Sequence, residues 1–222
     1  VTFAVSTDDA RPTMQGVLFT GKNIYATDGF RLVKVENDTD YGQGFLVSGK
    51  SLGEIAKIAK ADRLDGAWIV PGESVVRIDV GSHQFYCQTI QGNYPDVEGF
   101  IINNNKTFNT TVTFDTGKIA KAVAQAAKST RWDKDHTPYT EWFINGDVKI
   151  VNGVYNNEFE ISLDYIEKVG GDCKTYVNIH YINDYLQTVQ DDTVQASWLD
   201  EYHAMIFKDG NRTCLIMPAR KP

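Results

Sequence analysis

One succession of elements is written twice along this chain, and that duplication constrains the fold more than any other feature. In the first copy, residues 14–101, segments 14–19 and 23–35 read as strands around a Thr20-Gly21-Lys22 turn. A helix from Ser51 follows, then strand-like segments at 67–70, 74–80 and 83–90. In the second copy, residues 107–222, segments 141–145 and 148–151 flank Gly146-Asp147, and 158–163 continues the meander. A helix at 178–190 comes next, then strands at 194–199, 203–207 and 212–217, the last two joined by Lys208-Asp209-Gly210. Recurrence of one supersecondary unit in a fixed order predicts two like domains, and such arrays work through shape more than through one catalytic centre. The expected division is a first domain at 1–101, a linker at 102–106 and a second domain at 107–222. A further helix, 115–129, opens the second copy without a counterpart in the first, as expected of a fragment or a trimmed chain.

With 222 residues and 42% hydrophobic content, the chain can fill two cores of about 100 residues each. No segment approaches the run of about 20 apolar residues that a membrane helix needs, and no basic-then-apolar signal opens the chain. A cytoplasmic protein without membrane partners is expected. Cys87, Cys173 and Cys214 are odd in number and lack CxxC spacing, which points to neither a disulfide framework nor a zinc site. Asn-x-Thr triplets at Asn37, Asn105, Asn109 and Asn211 are what an Asn- and Thr-rich chain produces by chance.

Three helices are legible from their apolar spacing. The first carries Ser51 and Glu54 as a capping box, with Leu52, Ile55, Ala56 and Ala59 as its inner stripe. The second, capped by Asp115 or Thr116, is expected to bury Ile119, Ala120, Val123, Ala124 and Ala127. The third repeats that spacing with Tyr181, Ile182, Tyr185, Leu186 and Val189. Outer faces differ in charge. Lys118, Lys121, Gln125 and Lys128 share one side of the second helix, and Lys57 and Lys60 lie on the first. Segments 50–63 and 114–131 together carry +5, so against a net charge of −7 the remainder carries −12. Segregation of that kind suits a protein that holds a polyanion in one place and repels it elsewhere. Lysines that simply solvate a helix face give the same pattern, and Asp184, Gln187 and Asp191 leave the third helix uncharged or acidic.

Three short motifs narrow the choice. Ala26-Thr27-Asp28-Gly29-Phe30-Arg31-Leu32 sets a turn-forming Asp-Gly between strands, Gln91-Gly92-Asn93-Tyr94-Pro95-Asp96 follows the last strand of the first copy, and Leu215-Ile216-Met217-Pro218-Ala219-Arg220 closes the chain. Singly they are a hairpin, a loop and a terminal strand. Together, in this order within a duplicated α+β unit, they resemble the bacterial sliding clamp family, the beta subunits of DNA polymerase III. The similarity runs from Thr7-Asp8-Asp9-Ala10-Arg11-Pro12 to Arg220 and is to the second and third of the clamp's three domains.

This resemblance implies an α+β fold of two tandem DNA-clamp-like domains, with antiparallel sheets outside and helices on one face. It implies a non-catalytic processivity factor without cofactor or metal. Implied partners are duplex DNA without sequence preference, polymerase and clamp-loader subunits through short linear motifs, and further copies of the chain in a head-to-tail ring. Arg11, Lys57, Lys60, Lys118, Lys121 and Lys128 would face DNA. The family's peptide groove lies between its second and third domains. Met14, Thr27, Gly29, Phe30, Arg31, Leu32, Pro95 and Phe100 would form one wall; Asn178, Tyr181, Tyr202, Ala204, Leu215, Ile216, Met217, Pro218, Ala219 and Arg220 would form the other. Phe30 stands where the family usually has histidine, and Ala219 is smaller than the usual residue. Core packing is an equally ordinary use for Tyr181, Leu215 and Ile216.

Catalytic patterns are lacking. No Walker A, GxSxG, HExxH or DFG sequence occurs, and His83, His136, His180 and His203 show no metal-ligand spacing. Asp8-Asp9 and Asp191-Asp192 read as solvated turn carboxylates. A carbohydrate-binding or surface-interaction module of duplicated α+β domains is the alternative; it requires Trp132 and Trp142 to lie exposed on a sheet face.

Overall fold

The computed structural model describes residues 1–104, 107–130, 139–152 and 159–219. Two compact units divide the chain, Val1–Val97 and Glu98–Pro222.

Unit 1 opens with short 3₁₀ turns at Thr2–Ala4 and Pro12–Gln15. Strands β1 (Gly16–Thr20), β2 (Asn23–Thr27), β3 (Arg31–Glu36) and β4 (Phe45–Ser48) follow, then helix α1 (Gly49–Ala61). A second sheet comprises β5 (Trp68–Val70), β6 (Val75–Val80) and β7 (His83–Gln88), paired in that order. Thr20 pairs with Asn23 across a two-residue loop, where Gly21 supplies the positive φ of 51° that such a tight hairpin requires. The first sheet runs β4-β1-β2-β3, antiparallel throughout. The two sheets meet where Val47 bridges Thr89 and the Ile90 amide donates to the Leu46 carbonyl at 3.0 Å. Val17, Tyr25, Val33, Val47 and Val76 are fully buried there, and β6 alternates inward and outward side chains.

Unit 2 contains helix α2 (Val97–Asn104), which begins at the boundary, then β8 (Thr110–Asp115) and α3 (Thr116–Thr130). It continues with β9 (Tyr139–Asn145), β10 (Asp147–Asn152), β11 (Phe159–Leu163), β12 (Glu167–Gly170) and β13 (Cys173–Asn178). Helix α4 (Ile179–Leu186) and strands β14 (Thr193–Trp198), β15 (Met205–Asp209) and β16 (Arg212–Ile216) complete it. One sheet is β11-β10-β9-β13; in the other, β12, β8, β14, β15 and β16 lie side by side in that order. Trp142 of β9 and Trp198 of β14, both fully buried, pack with ring centroids 6.4 Å apart and join the two layers. A polar cluster fixes α4: the Tyr185 hydroxyl donates to Asp209, Arg212 Nε bonds the same carboxylate at 2.9 Å, and the guanidinium lies 5.6 Å from the Tyr185 ring. Burial, and then the bond to Asp209, push the Tyr185 hydroxyl far above its ordinary ionisation range.

Several elements depart from what the sequence predicts. Met14 belongs to a 3₁₀ turn, not a strand, because Pro12 at its first position sets a helical φ. Helix α1 starts directly from β4, so Ser48 is its cap, with its hydroxyl accepting from the Ser51 amide at 3.4 Å; Glu54 pairs with Lys57 at 2.7 Å and closes no capping box. Of the expected α1 stripe only Ile55 is buried, while Ala56 is exposed. In α3 the buried face is Ile119, Val123, Ala126, Ala127 and Thr130, with Ala120 and Ala124 half-buried, and the Asp115 carboxylate caps it by accepting from the Lys118 amide at 2.9 Å. Helix α4 stops at Leu186, and Val189 lies beyond it. The expected linker 102–106 overlaps α2, whose Val97 and Ile101 are buried at i, i+4 spacing.

Candidate functional site

In unit 1 the expected groove residues gather around the β2–β3 turn. Thr27 ends β2, and its hydroxyl donates to the Arg31 carbonyl at 2.7 Å while accepting from the Gly29 amide at 3.1 Å. Asp28 Oδ1 accepts from the Phe30 and Arg31 amides at 2.9 Å each, an arrangement in which a short acidic side chain mimics a backbone turn. Its other oxygen holds Arg31 Nε at 2.9 Å with both side chains nearly buried, and the Arg31 guanidinium sits 5.6 Å from the Phe3 ring. Gly29 has φ 91°, and a Cβ there would stand 3.1 Å from Arg11 Nη1 and 3.4 Å from Met14 Cε. The positive φ favours glycine at this position, whereas the two flexible side-chain ends could shift aside for a Cβ. The turn leaves Phe30 55% exposed and Leu32 buried in β3. Met14 is half-buried and Pro95 exposed. Sequence reasoning missed Tyr94, whose hydroxyl accepts from the Thr27 amide at 3.1 Å.

In unit 2 the Asn178 side chain caps α4 by accepting from the His180 amide at 3.0 Å, and Tyr181 is half-buried in the first turn of that helix. Ala204, Leu215 and Ile216 are core residues with at most 1% exposure. Beyond β16 the Ala219 amide donates to the Tyr176 carbonyl at 2.7 Å. Met217, Pro218 and Ala219 line a cavity of about 510 Å³ together with Tyr176, Glu201 and Tyr202, whose ring is 77% exposed. Phe100, in α2, accepts at its carbonyl from Asn104 Nδ2 at 2.9 Å, and Asn104 Oδ1 accepts from the Ala204 amide at 3.4 Å. Asn104 thus ties Phe100 to Ala204, a link that no local pattern announces. Arg220 lies outside the described residues.

The basic side chains are exposed and partly paired. Arg11 meets Asp8 at 3.4 Å, Lys57 meets Glu54 at 2.7 Å, and Lys118 meets Asp164 at 3.4 Å. Exposed pairs of this kind are worth about 0–1 kcal/mol, so a phosphate can displace the carboxylate at little cost. Lys60, Lys121 and Lys128 are exposed as well. Among the described residues no group of three or more His, Cys, Asp or Glu could hold a metal ion. No helix of the described residues is long and apolar enough to cross a membrane. Trp142, expected on an exposed face by the carbohydrate-binding alternative, is instead fully buried, and Trp132 lies outside the described residues.

Comparison with known proteins places these features in a family context. Residues 1–96 match the model of the DNA polymerase III beta subunit, central domain. The beta sliding clamp of Buchnera aphidicola (subspecies Acyrthosiphon pisum) is 23% identical over 210 residues, which cover 87% of this chain and 53% of that protein. The beta sliding clamp of Bacillus subtilis is 33% identical over 113 residues, covering 47% and 30% respectively. Among solved structures, the DNA polymerase III beta chain of Streptococcus pneumoniae superposes with a TM-score of 0.85 at 22% identity, covering all of this chain and 61% of its own. A Pseudomonas aeruginosa sliding clamp crystallised with ligand gives 0.84 at 23% identity, covering 99% and 62%. At these identities the superpositions speak for the fold. The chain spans about half the length of the Buchnera aphidicola clamp.

Proposed function

We propose, from the premise that this chain belongs to the DNA polymerase III beta subunit (sliding clamp) family, that it serves as a non-catalytic processivity element which tethers partners through short linear peptides. The observation that carries this is the convergence of Tyr202, Met217, Pro218 and Ala219 on one cavity of about 510 Å³. Aromatic and thioether surface there offers anchorage to apolar side chains, and Glu201 supplies a polar edge. In unit 1 the Thr27–Leu32 turn presents the exposed Phe30 beside a rigid, internally hydrogen-bonded backbone. A peptide bearing a glutamine and two or more apolar anchors is the proposed ligand. Each anchor buried contributes about 1.5–3 kcal/mol, and after ordering costs a micromolar Kd results.

Duplex DNA is the second proposed partner, contacted without sequence preference by Lys60, Lys121 and Lys128, with Arg11, Lys57 and Lys118 exchanging their carboxylates for phosphates. Encirclement through a head-to-tail ring, loading by clamp-loader subunits and a cytoplasmic setting belong to the same proposal. The net charge of −7 keeps this chain by itself a weak DNA binder.

Fluorescence anisotropy with a labelled peptide of that composition tests the tethering role. Wild type should bind near micromolar Kd, and Met217→Ala or Tyr202→Ala should weaken binding roughly tenfold, the loss of one buried anchor contact. Both side chains lie outside the strands, so the fold survives either change. Equal affinity of wild type and both variants would place the peptide elsewhere.

A further inference from the structure

Unit 1 contains a buried amide whose ordinary partner has moved away. The β1–β2 ladder pairs Leu18 with Tyr25, Phe19 with Ile24 and Thr20 with Asn23, a register that would bring Gly16 opposite Thr27. Asp28 N–H bonds the Arg31 carbonyl across β2–β3, so the Thr27 amide, one residue earlier, points to the β1 side. There the β1–β2 ladder has already ended: its last pair is Leu18 with Tyr25, and the chain before Gly16 forms the 3₁₀ segment Pro12–Gln15. A buried N–H without an acceptor is costly, and Thr27 is only 7% exposed. Its amide is satisfied at 3.1 Å by the hydroxyl of Tyr94, which arrives from the loop 67 residues further along the chain.

We propose that the Tyr94 hydroxyl is a positioning group, substituting for the absent strand carbonyl and holding the Thr27–Arg31 turn in the shape in which it receives a peptide. This rests on the peptide-tethering function proposed above. Within the turn, Thr27 bonds Arg31, Gly29 bonds Thr27, and Phe30 and Arg31 bond Asp28. These bonds set its internal shape, and the β2–β3 ladder holds its two ends. Tyr94 ties it to the loop 91–96. Tyr94 also lines a cavity of about 660 Å³, and its hydroxyl bond to Thr27 carries part of its placement. Burial raises the ionisation of this hydroxyl well above the ordinary tyrosine range, which keeps it neutral at working pH.

Tyr94→Phe removes the acceptor and keeps the ring. In the full 222-residue chain, amide hydrogen exchange at Thr27 should quicken by about tenfold or more as the orphaned N–H opens to water. The labelled peptide used above, titrated well below the melting temperature so that a change in global stability leaves Kd untouched, should bind roughly three- to tenfold more weakly. Tyr41→Phe is the control: it loses a hydroxyl that accepts from Asn37 Nδ2 in the same unit, and it should change neither readout. Unchanged Thr27 exchange in Tyr94→Phe overturns the hydrogen-bond assignment. Faster exchange with wild-type peptide affinity overturns the positioning role. If wild type itself binds no peptide, the tethering function falls and the positioning role with it, a result set apart from the others because the unsubstituted chain is then silent.

Discussion

In unit 1 the helix that leaves the fourth strand, α1, buries Gly49 and Ile55; its counterpart in unit 2, α4, buries Ile179, Ile182, Tyr185 and Leu186. The strand paths around them are alike. β4 lies beside β1 in the order β4-β1-β2-β3, and β13 lies beside β9 in the order β13-β9-β10-β11. Each helix begins at the residue after its strand ends, capped by that last residue, Ser48 or Asn178. What differs is the company: α3 packs against α4, whereas α1 contacts β4 and the first 3₁₀ turn. Likewise β14 is flanked by β8 and carries the fully buried Trp198, while β5 is an edge strand and its Trp68 is 81% exposed. Copies of one backbone plan can therefore have cores of different depth, because burial is decided by neighbouring elements more than by a helix's own periodicity.

The comparison breaks most readily at the tryptophans. Trp198→Ala should cost unit 2 about 3–5 kcal/mol, the loss expected for a large buried aromatic, whereas Trp68→Ala should fall within about 0.5 kcal/mol of wild type. Urea denaturation followed by far-UV circular dichroism measures both. Equal losses would mean that β5 is covered in solution. A finer test uses the caps: Ser48→Ala and Asn178→Ala should each cost about 1 kcal/mol, since each removes the oxygen that satisfies a first-turn amide. Similar values would support the structural equivalence of α1 and α4, and a cost at one alone would show that the shared cap position has lost its role in the other copy.

Much of this plan is legible in the sequence because it is local. The Gly21 and Gly146 turns, the alternation in β6 and the apolar spacing of α3 and α4 lie within a few residues of one another. Short strands such as β4, β12 and β13 escape because four to six residues offer little period, and α2 escapes because its composition matches a loop tail as well as a helix. The sequence points to Ser51 as the start of α1 because two serines stand there, and only the direct strand-to-helix passage selects Ser48 as the cap. For the candidate site, the turn chemistry of Thr27, Asp28 and Gly29 is written in the motif itself. The contacts that anchor it are not: Tyr94 to Thr27 and Asn104 to Ala204 join residues 67 and 100 positions apart, beyond any spacing rule.

The most direct test maps the peptide by amide chemical-shift changes in the full chain during titration with the glutamine-bearing peptide. Shifts should concentrate at Tyr176, Tyr202, Met217 and Ala219, which line the cavity of unit 2, and saturate at micromolar Kd. Shifts spread along the exposed lysine faces of α1 and α3, with none at these residues, would contradict a peptide site at this cavity.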